Sequence, residues 1–222
     1  MKIKDIEIEW LGHAGFRLRI SGSVVYIDPY KIAKTSENEK ADYILITHEH
    51  YDHLSLEDLK KIVKDGTVIV ATADCQSTLM RLEQKINVKI AVPGVSFDLN
   101  KFVVECIHAY NINKHFHPRV HDWVGYVIKT KEACIYHAGD TDVIPEQNVL
   151  TKYAKNLIML LPVGGTYTMD WKEASELVKK IKPFLAIPMH YAKIVGNVND
   201  AMNFVKEVEK VKIKAVILEE EK

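Results

Sequence analysis

The chain has 222 residues with 30 basic and 30 acidic side chains, so it is long enough for one substantial core and carries no net charge. A balanced charge without long runs of one sign argues against nucleic acid or an anionic membrane surface as the main partner. Met1-Lys2-Ile3-Lys4-Asp5 lacks the apolar centre of a signal peptide, no apolar run reaches membrane-spanning length, and Cys75, Cys106 and Cys134 are widely spaced, which together point to a cytoplasmic protein with reduced thiols.

The first quarter reads as β-rich. Ile6–Trp10 and Phe16–Ile20 alternate apolar with polar residues and predict strands with one face in water. Val24–Ile27 is more continuously apolar, predicts a more buried strand, and ends in Asp28-Pro29. Residues 31–40 are polar without a strand pattern and predict a loop near a site mouth. Tyr43–Ile46 predicts a short buried strand, and Ser55-Leu56-Glu57-Asp58 carries an N-cap signature. Leu56, Leu59, Ile62 and Val63 then fall at helical spacing before Gly66. Val68–Ala71 predicts a strand, and Leu79, Leu82 and Ile86 a second helix. Further strands are expected at Val88–Val92, Phe102–Ile107, Trp123–Lys129 and Cys134–Tyr136, with a turn at Pro93-Gly94. The last third alternates strand and helix. Strands are expected at Leu157–Leu161, Phe184–Ile187 and Lys212–Leu218. Asp170 caps one helix running to Lys180, and Asn199 or Asp200 opens another that runs to Val208. No Pro/Gly/Ser linker, low-complexity segment or short repeat intervenes, so 1–222 reads as a single domain.

The chemistry gathers between the Tyr43–Ile46 strand and the helix opened by Ser55. His48, His50, Asp52 and His53 put three imidazoles and a carboxylate within six residues of one loop. These are ligands that zinc, manganese and iron accept. On such a loop, residues two apart can face one ion while the next pair turns to another. A lone His-x-His would be an ordinary polar turn, but this density at a strand end reads as a metal loop.

His48-x-His50-x-Asp52-His53 after an apolar strand resembles the signature of the metallo-β-lactamase superfamily. Trp10–Phe16, Ile27-Asp28-Pro29, His137–Thr141, Leu161–Tyr167 and Pro188–Tyr191 resemble its small single-domain metal-dependent hydrolases, the branch related to the sugar-acid phosphate lactonases. The resemblance implies an α+β fold, a four-layer αββα sandwich, with two divalent ions: zinc first, manganese or iron as alternatives. By motif match His48 and His50 hold a first ion, and Asp52 and His53 a second. Asp140 bridges both, His190 completes the second, and Asp52 and Asp140 are the catalytic carboxylates. The family usually offers its third ligand to the first ion as Ala-x-His, where this chain has Ala109-Tyr110-Asn111. His117 ranks first for that role, Asn111 second and His108 third, while His115 and His121 read as solvated. Asp28 matches the carboxylate that orients the metal loop. His13 is placed at the site wall, and Thr166 and Tyr167, after Gly164-Gly165, where substrate approaches backbone. Trp123 and Trp171 read as packing residues.

The expected activity is hydrolysis of a small ester, lactone or phosphodiester by a metal-bound hydroxide. No Gly-x-Ser-x-Gly or P-loop sequence offers another route. A nuclease or phosphodiesterase on nucleic acid would want a basic groove, which a neutral chain does not announce. A redox or metal-binding module would want an electron-transfer extension, and a partly vestigial site would follow if Asn111 left the first position short of ligands. The expected partner is a small molecule. Monomer and homo-oligomer both fit the sequence.

Overall fold

The computed structural model describes residues 1–33 and 39–221, so the loop expected over 31–40 lies partly outside the described residues. Its strands are β1 (Lys2–Ile3), β2 (Ile6–Gly12), β3 (Gly15–Ile20), β4 (Ser23–Ile27), β5 (Tyr43–Ile46), β6 (Val68–Ala71), β7 (Asn87–Ile90), β8 (Ser96–Asp98), β9 (Val103–His108), β10 (Val124–Lys129), β11 (Cys134–His137), β12 (Leu157–Pro162) and β13 (Leu185–Met189). The helices are α1 (Leu56–Ile62), α2 (Gln76–Leu79), α3 (Trp171–Ile181) and α4 (Val198–Glu209).

Strands β1 to β7 form one sheet in sequence order, and β8 to β13 form the other. Each sheet begins antiparallel and turns parallel: from β4 onward in the first, from β11 onward in the second. Apart from the edge strand β7, which carries Asn87 and Lys89, the parallel strands are largely apolar on both faces because both faces are covered. On β5, Leu45 packs into the core between the sheets, while Ile44 and Ile46 face a second cluster with Leu59 and Ile62 of α1. On β6, Val70 and the pair Ile69 and Ala71 divide the same way. Helices α3 and α4 bury Leu177, Val178, Phe204 and Val208 over β12 and β13. Two packed sheets with helices on their outer faces make the expected α+β sandwich.

Helix starts follow local chemistry. Ser55 accepts from the Asp58 amide at α1, and Asp170 accepts from the Lys172 and Glu173 amides at α3. The cap of α4 is Asn197, with Asp200 bonding back to its amide at 2.7 Å, so Asn199 and Asp200 lie within the first turn rather than before it.

Three expectations need correction. The helix predicted from Leu79, Leu82 and Ile86 closes after Leu79. Lys85 is tied to the preceding turn instead: its amide donates to Asp65 Oδ1 and its carbonyl accepts from Gly66 N, both at 2.8 Å. These bonds draw the chain out toward β7. Second, Lys212–Leu218 is no named strand. It brackets Ala186 of β13 through two hydrogen bonds and then crosses to Trp10, whose carbonyl accepts from Glu221 N at 2.9 Å. Third, β3 is buried on both faces rather than half in water. Arg17 is only 8% exposed because its guanidinium pairs with Glu9 and with Glu221 of that crossing segment.

The consequence for function is positional. The loops that follow β4, β5, β11, β12 and β13 carry Asp28, His48–His53, Asp140, Thr166 and Tyr167, and His190 in turn. Carboxyl ends of parallel strands are where sheet folds place their ligands.

Candidate metal centre

Two imidazole-rich groups meet at one carboxylate. In the first, His48 Nε2 lies 3.1 Å from His50 Nδ1, and His117 joins them. In the second, Asp52, His53 and His190 are gathered together with His13. Asp140 stands between: its Oδ2 is 3.2 Å from His117 Nε2 and 3.1 Å from His190 Nε2, and its Oδ1 is 3.3 Å from His53 Nε2. Asp52 Oδ2 lies 3.7 Å from His53 Nε2 and 3.9 Å from His190 Nε2.

Three of the imidazoles, His48, His53 and His117, are aimed from behind, whereas His190 Nδ1 is buried without a partner. Asp28 Oδ1 accepts from Thr47 N at 2.8 Å, and its Oδ2 from Thr47 Oγ1 at 2.6 Å and His53 Nδ1 at 2.7 Å. With its own proton given to Asp28, Thr47 Oγ1 accepts from His48 Nδ1 at 2.9 Å. His117 Nδ1 donates to Asn111 Oδ1 at 3.1 Å and to the Tyr167 carbonyl at 3.2 Å. Nδ1–H is therefore fixed on His48, His53 and His117, and each Nε2 is the ring nitrogen left facing the centre. His53 Nε2, His117 Nε2, His190 Nε2 and Asp140 Oδ1 are buried without a hydrogen-bond partner. Native interiors rarely leave such atoms unpaired, and four of them converging with neutral and anionic donors fit divalent cations.

Asn111 is occupied elsewhere. Its carboxamide nitrogen donates to Asp142 Oδ1 at 3.1 Å and to the Tyr167 carbonyl at 2.9 Å, so its oxygen must be the atom facing His117. Its backbone amide donates to the His117 carbonyl at 2.7 Å, and the His117 amide donates back to Asn111 Oδ1 at 3.1 Å. The loop from 111 to 117 is thereby closed on itself, and His117 arrives where the strand end alone would have delivered Asn111. His108 stands outside the metal-ligand groups among the described residues, 3.9 Å from Asp122. His115 and His121 are exposed, His121 stacked on Trp123. Thr166 is exposed and outside the cavity lining, whereas Tyr167 lines it.

Strain marks the same loops. His13, Asp28, Thr166 and His190 all have left-handed backbones, with φ of 51°, 42°, 55° and 56°. Non-glycine residues pay about 1–3 kcal/mol each for such conformations and keep them where surroundings over-determine them. The surroundings here are specific: the His13 carbonyl accepts both the His190 amide and Trp10 Nε1 at 2.9 Å, which ties the two sheets together at the site. The buried His137 donates from Nε2 to the Ala14 carbonyl at 2.8 Å and accepts from Gly139 N at 3.2 Å, shaping the turn that delivers Asp140.

The electrostatics divide the ligands. Burial drives His48 well below the ordinary histidine value and lowers His50; it takes His13 to about 4 despite the hydrogen bond to Asp52. Burial acts on His53 too, but Asp140, Asp28 and Asp52 around it hold it well above that value. Burial would raise the two acids; instead His190 and His53 keep Asp140 well below the carboxylate range, and His53 with His13 brings Asp52 to about 2. A metal arriving at His53 Nε2 would thus compete with a proton that the surrounding carboxylates favour. Proton and ion compete for Nε2, so metal affinity rises with pH and levels off once pH passes the raised value. Titrating the stripped protein with zinc in buffers of different ionisation enthalpy should show release of about one proton from this group; binding with no buffer dependence would contradict the assignment.

Comparison with known proteins shows the family. The family described as the β-lactamase superfamily domain matches residues 7–190. A UPF0173 metal-dependent hydrolase of Caldivirga maquilingensis is 34% identical over 190 residues, covering 83% of this chain and 81% of the relative. The chain belongs to the metallo-β-lactamase superfamily and its UPF0173 metal-dependent hydrolases. A Thermoplasma acidophilum member is 36% identical over 194 residues, covering 85% of this chain and 84% of its own. The solved structure of a metallo hydrolase from Ignicoccus hospitalis has a TM-score of 0.79 at 26% identity, covering 98% and 96% of the two chains.

Within this superfamily chain, sequence reasoning passed over several contributors. Thr47 adjoins the motif and orients His48, a role its spacing does not reveal. Trp123 packs, as its sequence context suggests, but against the site: its ring centre is 4.8 Å from those of both His48 and His50, and its Nε1 donates to Asp74 Oδ2 at 2.5 Å. Tyr51, Phe116 and Ile194 line the cavity over the ligands, and only Tyr51 lies inside the motif.

Proposed function

We propose that this protein is a hydrolase of small acyl substrates working through two divalent ions. His48, His50 and His117 hold the first; Asp52, His53 and His190 the second; Asp140 serves both. Bound there, the ions supply an activated water as nucleophile and a Lewis acid for the carbonyl oxygen. The observation that carries the reading is the convergence of unpaired, buried Nε2 atoms of His53, His117 and His190 on Asp140.

The chain's own groups prepare the rest. Asp28, Thr47 and Asn111 fix tautomers, so the ligand rings need no reorganisation when substrate arrives. His13 Nε2 donates to Asp52 Oδ2 at 2.8 Å, holding that carboxylate in place beside His190. In hydrolysis of an ester, water adds to the carbonyl carbon and the acyl–oxygen bond breaks. The proton lost by the attacking water leaves with the alcohol, and Asp52, itself a member of the second group, is the carboxylate that would carry it.

The test is metal dependence. Protein stripped with chelator should bind about two zinc or manganese ions per chain and regain hydrolysis of esters or lactones in proportion to the ions restored. Full metal content without turnover across ester and lactone panels, with or without turnover of phosphodiesters, would overturn the reading.

A further inference from the structure

The cavity above the ligands says more about the substrate. It encloses about 230 Å³, under the roughly 300 Å³ at which drug-sized ligand sites begin. Its floor is His50, Asp52, His117, Asp140 and His190; its outer wall is Tyr51, Phe116, Tyr167 and Ile194. Tyr51, Phe116 and Ile194 are 66%, 47% and 36% exposed, three large apolar side chains turned to solvent around one opening. Exposed apolar surface gathered on a concave site is characteristic of ligand binding. The rings are also held in place. Phe116 meets Tyr167 edge to face with centres 4.7 Å apart, and Tyr51 meets Tyr30 likewise at 5.9 Å.

The charge pattern points the same way. No lysine or arginine is among the described residues lining this cavity. Lys193, Lys114 and Arg119 are committed to Glu220 at 2.6 Å, Asp142 at 2.5 Å and Glu146 at 3.0 Å, while Lys31 lies over the Tyr30 ring at 5.1 Å, outside the lining. A phosphate or carboxylate tail on the substrate would be desolvated against hydrocarbon without a counter-charge from this wall.

We infer that the substrate is an uncharged carbonyl compound, an ester or lactone with a compact apolar group, which Tyr51, Phe116 and Ile194 select. The inference rests on the metal-hydrolase reading. It disfavours a phosphorylated sugar lactone, whose phosphate would lie against this wall.

Binding separates the two ideas without needing turnover. Hydroxamates coordinate divalent ions, so zinc-loaded protein would be titrated calorimetrically with acetohydroxamate, hexanohydroxamate and the same six-carbon chain ending in phosphonate. Hexanohydroxamate should bind about tenfold or more tightly than either of the others, the scale of a few methylenes in an apolar pocket. Phe116→Ala should lower the ratio of hexano- to acetohydroxamate affinity several-fold, and Phe116→Lys should shift preference toward the phosphonate. Both changes fall on a side chain already half in water. Phosphonate binding as tight as or tighter than the plain chain, or a ratio indifferent to Phe116, overturns the substrate class while leaving the metal reading standing. Failure of acetohydroxamate itself to bind zinc-loaded protein overturns the metal reading, and the substrate inference with it.

Discussion

Asp140→Ala is expected to fold, to hold neither ion tightly, and to lose hydrolysis to the level of the chelator-stripped protein. Among the described residues Asp140 is the side chain that reaches candidate ligand nitrogens of both groups within 3.3 Å, touching His117 on one side and His53 and His190 on the other. It is only 4% exposed, so no water readily takes its place. It is also first among the charges that hold His53 high, and its loss leaves His53, His117 and His190 facing one another without their shared anion. The fold should survive, because Asp140 sits in a turn beyond β11 while the core lies between the sheets and under the helices. Two measurements check this. Metal content after dialysis should fall toward zero in the variant. Thermal unfolding of the parent should shift upward with added zinc, as a ligand at a hundred times its Kd adds about 2.7 kcal/mol, and the variant should show little of that shift. A variant that keeps both ions would show that Asp140 does not bridge them.

How much of this was legible depended on where the information lies along the chain. His48, His50, Asp52 and His53 share one loop, so spacing alone gathers them, and the strand before and cap after place that loop. Asp140 and His190 follow apolar strands, which is enough to put them at a sheet edge. The parallel strands were legible because burial on both faces demands continuous apolar runs such as Tyr43–Ile46. The failures are tertiary. Leu79, Leu82 and Ile86 have helical spacing, yet two hydrogen bonds from Lys85 to the Asp65-Gly66 turn outweigh it. Lys212–Leu218 alternates like a strand, but its partners are divided between β13 and Trp10 of the other sheet. Arg17 looks like a solvent-facing position until Glu221, 204 residues away, arrives to pair with it. His13 meets Asp52 across 39 residues, a contact that no local pattern encodes.

The pair His117 and Asn111 should separate a ligand from the residue that aims it. At saturating zinc, His117→Ala is expected to bind about one ion fewer than the parent, since the first group then retains only His48, His50 and Asp140 while the second keeps Asp52, His53 and His190. Asn111→Ala should reach the parent's full metal content but with affinity for the weaker-held ion reduced about 10- to 100-fold, the usual cost of removing a group that orients a metal ligand. The reason lies in the directions of the hydrogen bonds. Asn111 spends its nitrogen on Asp142 and the Tyr167 carbonyl and its oxygen on the His117 amide and Nδ1, so no lone pair is aimed at His48 or His50. His117 keeps Nε2 unpaired and buried, 3.2 Å from Asp140. Removing Asn111 frees the His117 ring to rotate and opens the loop that Asn111 closes, but the Tyr167 carbonyl still accepts from Nδ1 at 3.2 Å, which preserves part of its orientation. The distinguishing result is therefore stoichiometry against affinity: titrations with a competing chelator measure the second, and metal analysis at saturation measures the first. If Asn111→Ala loses an ion at saturation while His117→Ala keeps both, the roles are reversed and the amide oxygen is the ligand.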